Sequence, residues 1–242
     1  MVNYDFVMAL PSPTRPEYNT TIPSSGKKIK YQPFTVKEEK ILVLAAEGQE
    51  VDEIGNAVAN CLRNCITSPA DLDIESLALF DIEYLFLKCR AKSIGEKISV
   101  NAIDPDDKTF SKQVEINIDK IGVITNKEHK EIVEIDEEMS VKLKYPGIDF
   151  FTEGVELTDV TSITSVIARC FSQLIVGEEV YNRDDLSEDE IIDWIEGLSS
   201  SQYNKLTEFF ITMPKLSHKL TVKNTKTDKN FTITLEGLAD FF

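Results

Sequence analysis

The sequence predicts an α+β fold in which helical segments alternate with two antiparallel β-hairpin units. Two observations carry that prediction. The hydrophobic period switches along the chain from three-and-four spacing to strict alternation, and does so twice. Three of the helical stretches open on a capping-box spelling, and each alternating pair encloses a polar turn.

The elements follow in order. Residues 9–25, ALPSPTRPEYNTTIPSS, are rich in Pro, Ser and Thr and have little to bury. They read as an extended arm ordered only against a partner or the protein's own surface. Removing residues 1–22 is therefore expected to leave thermal stability nearly intact yet weaken partner capture. Thr35 and Glu38 then spell a capping box ahead of a helix with Ile41, Leu44 and Ala45 as its apolar stripe. A second helix carries Val51, Ile54, Val58, Leu62, Cys65 and Ile66. A third, from about Asp81 to Lys92, buries Tyr84, Leu85, Leu87 or the stem of Lys88, and Cys89.

KISVNAI and KQVEINI alternate around the turn Asp104-Pro105-Asp106-Asp107, with Ile98, Val100, Ala102, Val114, Ile116 and Ile118 on one face. Short strands near 132–135 and 141–144 are expected to extend that sheet until Pro146-Gly147. Val160, Ile163, Val166, Ile167, Cys170, Phe171, Leu174 and Ile175 keep the helical repeat, with Gly177 as the stop. Ser187 with Glu190, and Ser199 with Gln202, spell two further capping boxes, and Pro214 ends the second helix. HKLTVKN and NFTITLEG then flank the turn TKTDK. The expected divisions are an arm at 1–30, a helical region at 31–95, a β region at 96–150, a second helical region at 151–213 and a hairpin at 214–242. SIGEKISV before the first hairpin echoes LSHKLTV before the last, as a duplicated helix-plus-hairpin module would.

Bulk properties exclude several function classes. The apolar share is 42% and the charged share 28%, ordinary for a globular chain of 242 residues. The formal charge of −16 repels a phosphate backbone and argues against a nucleic-acid partner. No apolar run is long enough to span a bilayer, and the first residues lack a basic region followed by an apolar one, so a cytosolic setting is expected. Cys61, Cys65, Cys89 and Cys170 form no C-x-x-C pair, and His129 and His218 are too few to complete a zinc set. They read as buried thiols, with no cofactor and no metal expected.

Gly26-Lys27-Lys28 invites a phosphate-loop reading, and the spacing refuses it. Such a loop needs glycine where Thr21 stands and Ser or Thr where Lys28 stands. Lys27, Lys28 and Lys30 are instead a small basic island on an acidic chain, either a solvated strand edge or a contact for an acidic patch. The run GEEVYNRDDLSEDEIIDWIEG lacks the ligand period of a calcium loop and reads as a solvated helix start. With 42 acidic residues, carboxylate pairs arise by chance, and no G-x-S-x-G, H-E-x-x-H or G-x-G-x-x-G is present. No catalytic residue is assigned.

Five blocks carry a resemblance: LPSPTRPEYNTTIPSSGKKIKYQPFTVKEEKILVLAAE, FDIEYLFLKCRAKSIGEKISV, VKLKYPG, FFITMPKLSHKLTV and TLEGLADFF. Together and in this order they resemble the baseplate hub, or hub assembly, proteins of T-even-like contractile-tailed phages. The resemblance implies a non-enzymatic protein, made in the host bacterial cytoplasm, that helps build the central hub. It also implies other hub and central spike proteins as partners, with oligomerisation within the assembly left open. Relatives often carry C-x-x-C knuckles in both hairpin turns, which gives a zinc-ribbon look. Here those turns read IDPDDKTFSK and KNTKTDKN without cysteine, so the fold expected is zinc-ribbon-like but metal-free. A permanent virion subunit and a transient chaperone both fit, and a metal-free nucleic-acid binder is the alternative. Candidate partner contacts are Lys27, Lys28, Lys30 and Tyr31, with Arg90 and Lys92 from RAKSIGE. The pair Phe241-Phe242 either fills a partner's pocket or packs on its own hairpin.

Overall fold

The computed structural model describes residues 13–48, 51–152, 163–237 and 239–241. Residues 1–12, Val160 and Phe242, on which expectations above fall, lie outside the described residues. The first elements are β1 (Tyr18–Thr21) and β2 (Lys28–Tyr31), an antiparallel hairpin in full register from Tyr18 opposite Tyr31 to Thr21 opposite Lys28. The described part of the stretch 9–25 is thus ordered against the protein's own body, one of the two settings expected, and within it Ile22 alone is buried. Ile22 is 1% exposed, and Thr20 hydrogen-bonds Tyr84 at 3.0 Å, so the Pro- and Thr-rich stretch contributes to the core at its C-terminal end.

Helix α1 (Val36–Gly48) opens on half of the expected capping box, with the Thr35 amide donating to Glu38 Oε2 at 2.9 Å. Its buried side is Leu42 and Ala45, not the stripe through Ile41 and Leu44, which are 44% and 66% exposed. The cause is the run Ile41-Leu42-Val43-Leu44, apolar on every face, so that packing against the next helix decides which side turns inward. That helix is α2 (Val51–Cys65); Ile66, expected to be its last residue, instead begins β3 (Ile66–Ser68), which pairs with β2. Helix α3 (Leu79–Ser93) is buried nearly all round. Its Ile82, Leu85, Phe86 and Cys89 join α1, α2 and the first hairpin in one core, while Leu87 and Ala91 enter another. A helix apolar around its circumference is a central one.

The expected hairpin forms from β4 (Lys97–Ile103) and β5 (Ser111–Asn117), with Ile98 opposite Ile116 and Val100 opposite Val114. A single 3-10 turn at Ile118–Lys120 leads to β6 (Val123–Ile124). Strands β7 (Ile132–Glu134) and β8 (Met139–Leu143) do not extend the hairpin. After α4 (Ile148–Thr152) and α5 (Ile163–Cys170), they form a separate sheet of order β10-β9-β8-β7 with β9 (Phe171–Val176) and β10 (Glu179–Asn182). The helix expected through Ile175 therefore stops at Cys170. Phe171, Leu174 and Ile175 suit either period, and strand pairing on both sides of β9 settles it. Gly177, expected as a helix stop, is the positive-φ residue (φ 58°) of the β9–β10 turn.

Helices α6 (Glu188–Glu196) and α7 (Ser200–Thr212) carry both expected capping boxes with both reciprocal bonds. They pack with α5 on the four-stranded sheet in the second core. Finally β11 (Lys215–Lys223) pairs with β12 (Asn230–Glu236) and, at its start, with β6. The fold is α+β, helices packed among small antiparallel sheets. Among the described residues no helix is long and apolar enough to cross a membrane.

Candidate interaction surfaces and internal ties

The basic island lies on β2, whose alternation sends Ile29 and Tyr31 inward (2% and 3% exposed) and Lys28 and Lys30 outward. Lys30 reaches Glu17 at 2.9 Å, while Lys27 and Lys28 are exposed with no ion pair among the described residues. Tyr31 is a core side chain whose ring meets Tyr18 at 5.7 Å, and burial pushes its phenol well above the ordinary range. The island is thus a two-lysine surface backed by a buried tyrosine.

Arg90 and Lys92 sit in the last turn of α3 with different fates. Arg90 is half-buried, its Nη1 has no hydrogen-bond partner, and burial lowers its guanidinium pKa. Lys92 is an internal tie. It bonds Glu96 at 2.5 Å and Asp119 at 2.9 Å and lies 5.5 Å from the centre of the Tyr18 ring. Lys88, one turn earlier, also donates to Asp119. Burial alone would raise the Asp119 carboxyl, but hydrogen bonds and charge from Lys92 and Lys88 outweigh it and hold the pKa below its ordinary value. The bonds that Lys92 donates to Glu96 and Asp119 in turn raise the pKa of its ammonium. Three elements distant in sequence meet there: β1, α3 and the turn after β5.

Phe241 is 1% exposed in the third core beside Leu87, Ala91, Leu216 and Leu235, so it packs on its own hairpin. Cys61, Cys65 and Cys89 are buried in the first core, with the sulfurs of Cys61 and Cys65 4.0 Å apart. The contact to Cys65 and burial push the Cys61 and Cys89 thiols up, and burial pushes Cys170 up to about 12. Thiols so raised are poor nucleophiles. Among the described residues no group of three or more His, Cys, Asp or Glu is placed to hold a metal ion. A groove of about 670 Å3 runs between the start of α3, α7 and the start of β11, and its walls include Leu79, Phe80, Phe210, Ile211 and Leu216.

The structure also shows contacts the sequence did not predict. The tips of the two hairpins meet: Asn224 Nδ2 donates to Asp104 Oδ2 at 2.7 Å, both residues buried, and Phe110 packs edge-on against Phe231 at 6.1 Å. Each of the two opens a turn by accepting from amides ahead of it, Asp106 for Asp104, and Lys226 and Thr227 for Asn224. Their matching places in the echoed modules were the available signal. His129 is missed for want of any signal. Its ring nitrogens meet Thr212 and Tyr145 at 3.0 and 3.1 Å, and burial lowers its pKa.

Helices packed among short antiparallel sheets, with the charged candidates divided between internal ties and open strand surface, define an α+β protein. The chain belongs to the family described as T4 bacteriophage base plate protein, which matches residues 15–242. Membership gives it a structural role in a phage tail baseplate, among other baseplate proteins. No curated protein and no solved structure matches the chain.

Proposed function

We propose that this protein is a non-enzymatic component of the central hub, serving as a structural subunit or assembly factor while the contractile tail is built in the host bacterial cytoplasm. The observation that carries the proposal is the family match across residues 15–242, joined to the hub-like blocks KYQPFTVKEEK, RAKSIGE and PKLSH within it. The physics is compatible with assembly work. A chain of charge −16 resists premature self-association, and short strand edges with exposed lysines offer places for another chain to add. Its partners in this reading are other hub proteins and the central spike.

The test is co-expression with candidate hub and spike proteins, followed by pull-down and mass measurement of the complex. Stable recovery with a hub or spike protein is expected. Recovery only as a lone monomer overturns the proposal. Presence in purified tails separates a permanent subunit from a transient chaperone.

A further inference from the structure

The nineteen residues from Glu178 to Glu196 hold nine carboxylates against one cation, Arg183. Their net charge of −8 is half that of the whole chain. The fold turns this stretch into β10, a 3-10 turn at Arg183–Asp185 and α6. Capping accounts for Glu190, which closes the box with Ser187. It does not account for Asp184, Asp185, Asp193 and Glu196, which are exposed.

Two apolar features lie inside this acidic rim. Strand β10 ends the order β10-β9-β8-β7, so its outer edge pairs with no strand among the described residues. All four of its residues are exposed, and Val180 and Tyr181 are 50% and 42% exposed. Beside it a cavity of about 340 Å3 opens between the sheet and α6, lined by Leu174, Val176 and Tyr181 on one wall and Leu186, Ile191 and Trp194 on the other. Acids alone would guard a short strand edge against aggregation. They give no reason for an open apolar slot next to that edge.

We infer that β10 and this groove dock an extended, lysine- or arginine-bearing segment of a partner protein, added to the sheet as a fifth strand. The period of two along such a strand lets apolar side chains enter the groove while its basic ones are drawn by the field of the surrounding carboxylates. Charge fixes the occupant: a rim of net −8 attracts a cationic strand and repels an acidic one. A second copy of this chain fits poorly, because it carries −16 overall and its basic Lys28 and Lys30 are held in β2, the middle strand of its own sheet. The inference names a face for the capture proposed above and rests on that reading for its setting, but its physics is testable on the full chain alone.

The probe is a fluorescent nonapeptide alternating Lys and Val, compared with nona-lysine and with the same alternation built from Glu and Val. Anisotropy reads binding, and amide hydrogen exchange reads residues 179–182. The Lys–Val peptide is expected to bind best and to protect the β10 amides. Asp185→Lys combined with Asp193→Lys is expected to weaken it by about tenfold or more. Both substitutions fall on exposed side chains, so the variant should fold, which its melting curve verifies. Equal binding of nona-lysine, binding of the Glu–Val peptide, or an absence of β10 protection each overturns the docking site. Protection that rises with protein concentration without peptide makes the occupant a second copy and overturns it too. A hub complex undiminished by the double variant removes this groove but leaves the hub reading intact. Peptide binding by a chain that captures no tail protein does the reverse.

Discussion

Asp81 lies in the first turn of α3 with no solvent exposure, its Oδ1 accepting from the Ser24 amide at 2.9 Å and its Oδ2 without a partner. A helix N-terminus favours a carboxylate by about 0.3–1 kcal/mol at exposed sites, which is less than burying an under-paired charge costs. Burial wins, and the Asp81 pKa is raised. An acid with a raised folded pKa supports folding below the ordinary carboxyl range, and that support is lost as pH rises through the folded value. Asp81→Asn keeps the acceptor for Ser24 and removes the charge. It is expected to raise the melting temperature at pH 7 by about 2–4 °C, the equivalent of about 1 kcal/mol in a chain of this size. The gain should shrink to nothing as pH falls below about 4, where both side chains are neutral. Melting curves across pH measure it, and a variant less stable than the parent at pH 7 contradicts the account. The residue scale also separates the candidates. The outward places of Lys28 and Lys30 follow from strand alternation, whereas the engagement of Lys92 with Asp119 joins residues 27 apart and is invisible in a linear pattern.

At the scale of elements, the two hairpins behave as paired units clasped at their tips. Asn224 donates a buried hydrogen bond to Asp104, supported by the Phe110–Phe231 contact and by Ala102 and Val222. Asn224→Asp sets two carboxylates against each other in that buried place and removes the donor. The cost expected is about 3 kcal/mol, in the range seen when a buried polar pairing is broken to leave an uncompensated charge. Asn224→Ala, which leaves Asp104 unpaired without adding a charge, should cost less. Denaturant unfolding of both variants checks the order, and equal stabilities would show that the clasp contributes nothing. The turn chemistry at Asp104 and the strand alternation were legible in the sequence. Their meeting with the second hairpin, 120 positions away, was not.

For the whole molecule, the N-terminal hairpin is part of the body. Ile22, Ile29, Tyr31 and Phe34 share one core with α1, α2 and α3. Deleting residues 1–22 removes β1, the Ile22 side chain and the Thr20–Tyr84 hydrogen bond together. The earlier expectation that the deletion spares stability therefore reverses. Loss of a buried Ile alone is worth about 2–5 kcal/mol, a large fraction of the 5–15 kcal/mol that holds a typical domain folded. The deletion is expected to lower the melting temperature by more than 10 °C on the same scale, or to prevent folding. Calorimetry of the truncated chain measures this, and an unchanged melting point would detach the hairpin from the core.

By itself the sequence determined the elements that local chemistry specifies: the capping boxes at Ser187 and Ser199, the two hairpins with their polar turns, and the α+β class those imply. It also carried the blocks that mark the family. Tertiary structure alone decided the inward face of α1, the switch from helix to strand at Phe171, the separate sheet for β7 and β8, and the burial of Tyr31 and Phe241. The division has one physical cause. Caps, turns and alternation are satisfied by neighbours within a few residues, whereas an apolar run that suits two periods or two faces is settled only by the surface against which it is finally buried.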